Sequence, residues 1–171
     1  HLIDQALVLF GFPEGVFADL SIERTGGKIY DAFQLHLYYP GHKAILKSSY
    51  LVREPGPRYK ILGEQGSFYK WGLDPQEEML KKGITPGGFG WGEETADIYG
   101  HLHTEQDGLV VKGRLQSLPG DYLAYYDNIY QAIRHDAPLA VPAKQGAEVI
   151  KVIAMAEQSA REGRIVPAND R

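Results

Sequence analysis

Cysteine is missing from all 171 residues. That rules out a disulfide framework, a thiolate nucleophile and a cysteine-ligated metal, and it accords with a reducing compartment, so a cytoplasmic location is the expectation. Long apolar runs are missing as well. The longest, Ala6 to Phe10, is far too short to span a bilayer, and no charged segment, apolar segment and cleavage site stand in series. Basic charge is in deficit: 18 Lys and Arg against 22 Asp and Glu leave a formal charge of −4, and no basic stripe is interleaved with aromatics. Neither nucleic acid nor an anionic membrane surface is expected as a partner.

The apolar content, 43%, suffices for one domain with its own core. The chain opens on His1 and runs at once into Leu2, Ile3, Ala6, Leu7 and Phe10, as though a helix had been entered partway. It reads as a fragment. Residues 2 to 11 are helical in pattern but apolar almost all round, as in a helix buried between layers, and Gly11 and Pro13 end them. From 15 to 24, Val16, Ala18, Leu20 and Ile22 alternate with Phe17, Asp19, Ser21 and Glu23, the period-two pattern of a strand with unlike faces. A second strand puts Phe33, Leu35, Leu37 and Tyr39 on one side, and a third runs from about Ala44 to Arg53.

Pro55-Gly56-Pro57 interrupts the pattern, after which Tyr59 to Leu62 and Ser67 to Trp71 read as strands. Residues 74 to 83 predict a short helix with Asp74 as N-cap, Pro75 at the first helical position, Glu77 at the capping-box position and Gly83 past the end. Residues 84 to 100 carry five glycines and Trp91 without period, a long loop of the functional or mobile kind. Strands over 101 to 105 and 109 to 117 meet at Asp107-Gly108, and helices over 122 to 134 and 144 to 162 close the chain. The sum is an α+β domain, an open and mainly antiparallel sheet of about six strands with helices packed on one face. The opposite face, with Phe17, His36, Tyr38 and Lys47, is neither fully polar nor fully apolar, and stacking against a second copy is expected of it.

Four patterns bear on chemistry. His1 and Asp4 stand three apart on a helix, so they share a face, and a carboxylate there orients an imidazole suited to taking a proton from an alcohol. The alternative is that Asp4 merely favours a helix N-terminus. His101 and His103 lie on one side of a strand and supply two ligands of a conceivable zinc or iron site, but no third stands at a matching spacing; the alternative is a polar edge. Gly88-Phe89-Gly90-Trp91-Gly92 lacks the spacing of a phosphate loop, and Trp91 on such a loop suits a lid over a pocket. Tyr69 to Asp74 form a strand-to-helix corner whose side chains can project into a cleft.

Taken together, the motifs resemble the C-terminal domain of the glucose-fructose oxidoreductase, inositol dehydrogenase and rhizopine catabolism protein family (Gfo/Idh/MocA). The resemblance spans residues 1–171 and rests on His1-Leu2-Ile3-Asp4-Gln5-Ala6-Leu7, Gly63-Glu64-Gln65-Gly66-Ser67, the corner from Tyr69 to Glu77, Trp91-Gly92, Pro119-Gly120-Asp121-Tyr122 with Tyr125-Tyr126, and Ser159 to Gly163. It implies a glyceraldehyde-3-phosphate dehydrogenase-like C-terminal domain that binds substrate and mediates homodimer or homotetramer contacts through its sheet, behind a nucleotide-binding Rossmann domain outside this chain. It further implies hydride transfer between NAD or NADP, bound mainly by that other domain, and a sugar or polyol such as an inositol. On this pattern His1 is the catalytic acid/base and Asp4 supports it, Lys70, Trp71 and Trp91 line the substrate site, Tyr122 approaches the cofactor, and no metal is needed. Where many relatives have tyrosine after the lysine this chain has Trp71, which removes a phenol from the substrate's surroundings. Two readings of other classes stand beside it, a non-enzymatic binding or oligomerisation module using the exposed sheet, and a metal-dependent enzyme built on His101 and His103.

Overall fold

A computed structural model describes residues 1–169, which form two compact units. The first comprises residues 1–53 and, of the described residues, 140–169, and the second residues 54–139. No described helix is long and apolar enough to cross a membrane.

In the first unit, α1 (Leu2–Phe10) stops at Gly11, whose positive φ of 76° lets its N–H return to the Leu7 carbonyl at 2.9 Å. Three antiparallel strands follow, β1 (Gly15–Ser21), β2 (Ala32–Tyr39) and β3 (His42–Ser49). The register pairs Val16 with Leu37 and Ala18 with Leu35, and on the next ladder Leu35 with Leu46 and Leu37 with Ala44. One sheet face is thus continuous aliphatic surface, and α4 (Ala143–Glu162) covers it with Val152, Met155 and Ala156. Val16, Leu37 and Val152 are fully buried, each contributing about 1.5–3 kcal/mol by leaving water. At its end α4 turns at Gly163, and β8 (Val166–Pro167) pairs with Gly15 and Val16. Beyond that two-residue pairing the Ala18 amide is met by the buried Ser159 hydroxyl at 3.0 Å, which itself donates to the Arg164 carbonyl at 2.6 Å. One side chain thus adds a hydrogen-bonded link between the last helix and the sheet to their apolar packing.

The second unit is built on β4 (Tyr59–Gly63), β5 (Gly66–Lys70), β6 (Gly100–Gln106) and β7 (Leu109–Leu115), antiparallel in that order. β6 and β7 meet in a two-residue turn at Asp107 and Gly108, both at positive φ, matching the expected hairpin. Beside the strands run α2 (Gln76–Lys81), a single 3-10 turn over Ala96–Ile98 and α3 (Tyr122–His135).

The class is α+β, antiparallel throughout, as the periodicity indicates. The strands are divided between two four-stranded sheets, β3-β2-β1-β8 and β4-β5-β6-β7, where about six in one sheet were expected. The division falls at Pro55-Gly56-Pro57, where two residues without an amide proton prevent a ladder from continuing. The extra strand is β8, too short to show a period. β3 also ends at Ser49, short of the expected Arg53: the Tyr50 amide still bonds the Asp31 carbonyl in register, and the chain then turns, with the Leu51 amide on the Ser49 hydroxyl at 3.0 Å. α2 begins one residue later than expected, with Pro75 and not Asp74 at the N-cap; Asp74 still accepts from the Gln76 amide at 2.9 Å, while Glu77 does not close a capping box and pairs with Lys81 at 3.0 Å, one turn along.

Candidate functional site

His1 precedes the first turn of α1 and is exposed, as is Asp4. Its carbonyl accepts the Gln5 amide at 3.0 Å, which starts the helix, and no hydrogen bond or ion pair joins its ring to Asp4. Asp4 instead borders a shallow groove between α1 and α4, lined with Leu7, Val8, Gln145 and Glu148. Among the described residues, no side chain is hydrogen-bonded to the imidazole.

Lys70, at the end of β5, is buried, and its ammonium donates to the Glu94 carboxylate at 2.5 Å, the Ile98 carbonyl at 2.5 Å and the Trp71 carbonyl at 3.2 Å. Those three bonds use every proton the group has. Burial works to raise the Glu94 pKa, but hydrogen bonds from Lys70 and the Ser117 amide outweigh it and hold the carboxyl below its ordinary value. The Ser117 amide reaches the other Glu94 oxygen at 2.6 Å. The glycine-rich segment is thereby tied on one side to the strand and on the other to the lead-in of α3.

A second knot lies beside the first. Gln76, 1% exposed, donates through Nε2 to both Asp74 oxygens at 3.0 and 3.1 Å, while its Oε1 accepts from the Trp91 indole N–H at 2.9 Å and the Tyr122 amide at 2.8 Å. The backbones are interlocked there as well. A Cβ on Gly120 would lie 2.0 Å from Asp74 Oδ2, and one on Gly92, where φ is +72°, would lie 2.4 Å from the Gly120 carbonyl oxygen. Beyond these clamps the tip of the segment is free, Phe89 being wholly exposed. Asp121 caps α3 by accepting from the Leu123 and Ala124 amides at 2.9 and 3.3 Å, leaving the Tyr122 ring half in solvent.

Trp71 is 38% exposed and belongs to an aromatic row, stacked on Tyr69 with centroids 6.1 Å apart and tilted over His101 at 5.3 Å. The two strand histidines are exposed and face cations: His101 pairs with Arg114 and His103 with Lys112 across the ladder. Flanking cations oppose a divalent metal there, and among the described residues no group of three or more potential ligands is gathered.

Of the expected site residues, Lys70, Trp71, Trp91 and Tyr122 thus belong to the second unit, with Lys70, Trp91 and Tyr122 joined by the two knots, while His1 and Asp4 stand together on α1 in the first. Reading of the sequence missed Gln76 and Glu94. The signal for Gln76 was its place beside a capping aspartate, where a side chain can turn back on the cap; Glu94 carried none.

The family model described as "Oxidoreductase family, C-terminal alpha/beta domain" matches residues 1–168. The chain belongs to the Gfo/Idh/MocA oxidoreductase family. It is 39% identical over 166 residues to scyllo-inositol 2-dehydrogenase (NADP(+)) IolW of Bacillus subtilis, covering 97% of this chain and 46% of that protein. A second relative, the uncharacterized oxidoreductase YdgJ of Escherichia coli, is 38% identical over 161 residues, 94% of this chain and 46% of the other. The solved structure of yvaA from Bacillus subtilis superimposes with a TM-score of 0.94 at 38% identity, covering 99% of this chain and 49% of that one. An oxidoreductase from Bacillus cereus gives 0.86 at 29% identity, covering all of this chain and 58% of the other. The chain spans about half the length of the curated relatives it matches.

Proposed function

We propose that this chain is the C-terminal, substrate-binding portion of an NAD(P)-dependent oxidoreductase that moves a hydride between the nicotinamide and a sugar or polyol, inositol-like in character. The observation that carries this reading is the 39% identity, across 97% of the chain, with a relative named as a scyllo-inositol dehydrogenase using NADP(+). In the oxidative direction the carbinol hydroxyl gives its proton to the His1 imidazole while the carbinol hydrogen leaves as hydride. A general base placed at the hydroxyl is worth about 10²- to 10⁴-fold in rate. Asp4, one helical turn along, stands on the same face of α1 as the imidazole. Trp71 and Trp91 offer flat apolar faces to the C–H face of a sugar ring, and Lys70 contributes by holding the loop that carries Trp91.

The nicotinamide, when bound, accepts the hydride. The residues here suit a minor share in holding it: the space beside Gly92 is filled by the Gly120 carbonyl and open to no phosphate, while the half-exposed Tyr122 ring is available to lie against the cofactor. The outward face of the first sheet supports self-association into a dimer or tetramer, with Phe17 edge-on to His36 at 6.0 Å and His36 stacked on Tyr38 at 6.4 Å. The cysteine-free composition suits a cytoplasmic setting.

The test is to express the full-length gene product and follow reduced nicotinamide absorbance while polyols are screened with NAD and with NADP. Turnover of a polyol supports the reading, and none with any polyol and either cofactor removes it. With an active substrate in hand, His1→Ala should lower kcat by about 10²- to 10⁴-fold. An unchanged rate takes His1 out of the mechanism.

A further inference from the structure

We propose that Gln76 is a positioning residue: its side-chain amide holds the Trp91 indole and the start of α3 in one arrangement, so the glycine-rich segment acts as a fixed binding wall and not as a lid. This rests on the oxidoreductase reading only for what binds there. The fixing itself is a property of the second unit.

The amide has one available orientation. Trp91 Nε1 and the Tyr122 backbone N are both donors, so only Oε1 can face them, and the Asp74 carboxylate on the other side can only accept, so only Nε2 can face it. Both lone pairs of the oxygen are used, and the nitrogen faces both oxygens of one carboxylate. A lid motion would swing Trp91 off Oε1 and leave that oxygen with the Tyr122 amide as its one remaining donor, at a residue 1% exposed to solvent. The same motion would draw Gly92 away from Gly120, which it touches with no room for a Cβ, and pull Glu94 from its buried bonds to Lys70 and Ser117. Three separate contacts would have to fail together, so the open arrangement is sparsely populated.

A fixed indole confers selectivity by shape. Its loss should weaken ground-state and transition-state binding alike, which raises KM and spares kcat. Two variants separate positioning from general damage: Gln76→Met keeps the volume and removes the bonds, and Trp91→Phe leaves Gln76 in place but removes the indole proton. Hydrogen exchange over residues 91–99 of the full-length protein should be slow in the unsubstituted form and severalfold faster in each variant. With a polyol substrate, KM should rise about tenfold with kcat kept within about threefold. Exchange of that segment at the rate of an unstructured peptide in the unsubstituted protein, or unchanged exchange and KM in Gln76→Met, would overturn the proposal. If Gln76→Met fails to fold, Trp91→Phe decides by the same measurements. Absence of any turnover by the unsubstituted protein counts against the oxidoreductase reading alone, and the exchange comparison still decides whether Gln76 fixes the wall.

Discussion

Lys70 and Glu94 have side chains 11% and 6% exposed, so each charge depends on the other for the solvation that water no longer gives. Truncating one partner leaves the second charged and buried, a change that typically costs about 3–5 kcal/mol. Lys70→Met should lower stability by about 3 kcal/mol, read from urea unfolding, whereas replacing both partners by apolar residues of similar volume should recover most of the loss. The pair also fixes a pH dependence. Since the folded pKa of Glu94 lies below its ordinary value, the associated stability is present above the unfolded carboxyl value and is lost as pH falls through the folded one. Unfolding midpoints followed downward from neutrality should therefore decline in the acid range, and less steeply in Glu94→Gln. Ser159 offers a neutral counterpart. Ser159→Ala leaves the Ala18 amide and the Arg164 carbonyl without that partner, and should cost about 1–3 kcal/mol in the same assay.

Elements defined by alternation or by caps were legible in the sequence; contacts closed over distance were not. β1 and β2 declared themselves because Val16, Ala18, Leu35 and Leu37 all face one side, and α4 by an apolar stripe of which Val152 and Ala156 are buried while Ile153 is exposed. β8 was illegible, since two residues have no period. The loop from Ile84 to Tyr99 shows why function was harder to read than fold. Its glycines suggest mobility, yet what determines its behaviour is a glutamine eight residues before the loop begins and a glycine twenty-one residues after it ends, at Gln76 and Gly120. At this scale Gly92→Ala is the informative change. Its φ of +72° costs an alanine of order 1–3 kcal/mol, and the added methyl meets the Gly120 carbonyl, so faster exchange across the loop and a lower unfolding midpoint are expected.

For the chain as a whole, the family and the α+β class follow from patterns spread over its full length, whereas the hydride transfer proposed for it needs a bound nicotinamide. Val8, Leu9 and Ile133 are 74%, 57% and 75% exposed, more aliphatic surface on two helices than a free-standing domain usually leaves in water. The chain expressed by itself should therefore bind a hydrophobic dye or self-associate, and should show neither tight NAD(P) binding nor polyol turnover. Sedimentation velocity and a nicotinamide-linked assay check the two halves of that expectation; measurable turnover would mean that the residues described here suffice for hydride transfer. The reason His1 was visible but its surroundings were not is the same: spacing places Asp4 on its face of α1, and no side chain among the described residues is hydrogen-bonded to the ring.

The exposed tip at Phe89 has a practical side. Because the anchoring at Trp91 and Glu94 begins just after it, the stretch between Gly87 and Gly90 is a natural port for grafting. A short epitope or fluorophore-attachment peptide spliced there should leave the melting profile of the protein intact, giving a reporter seated within a few residues of the tryptophan.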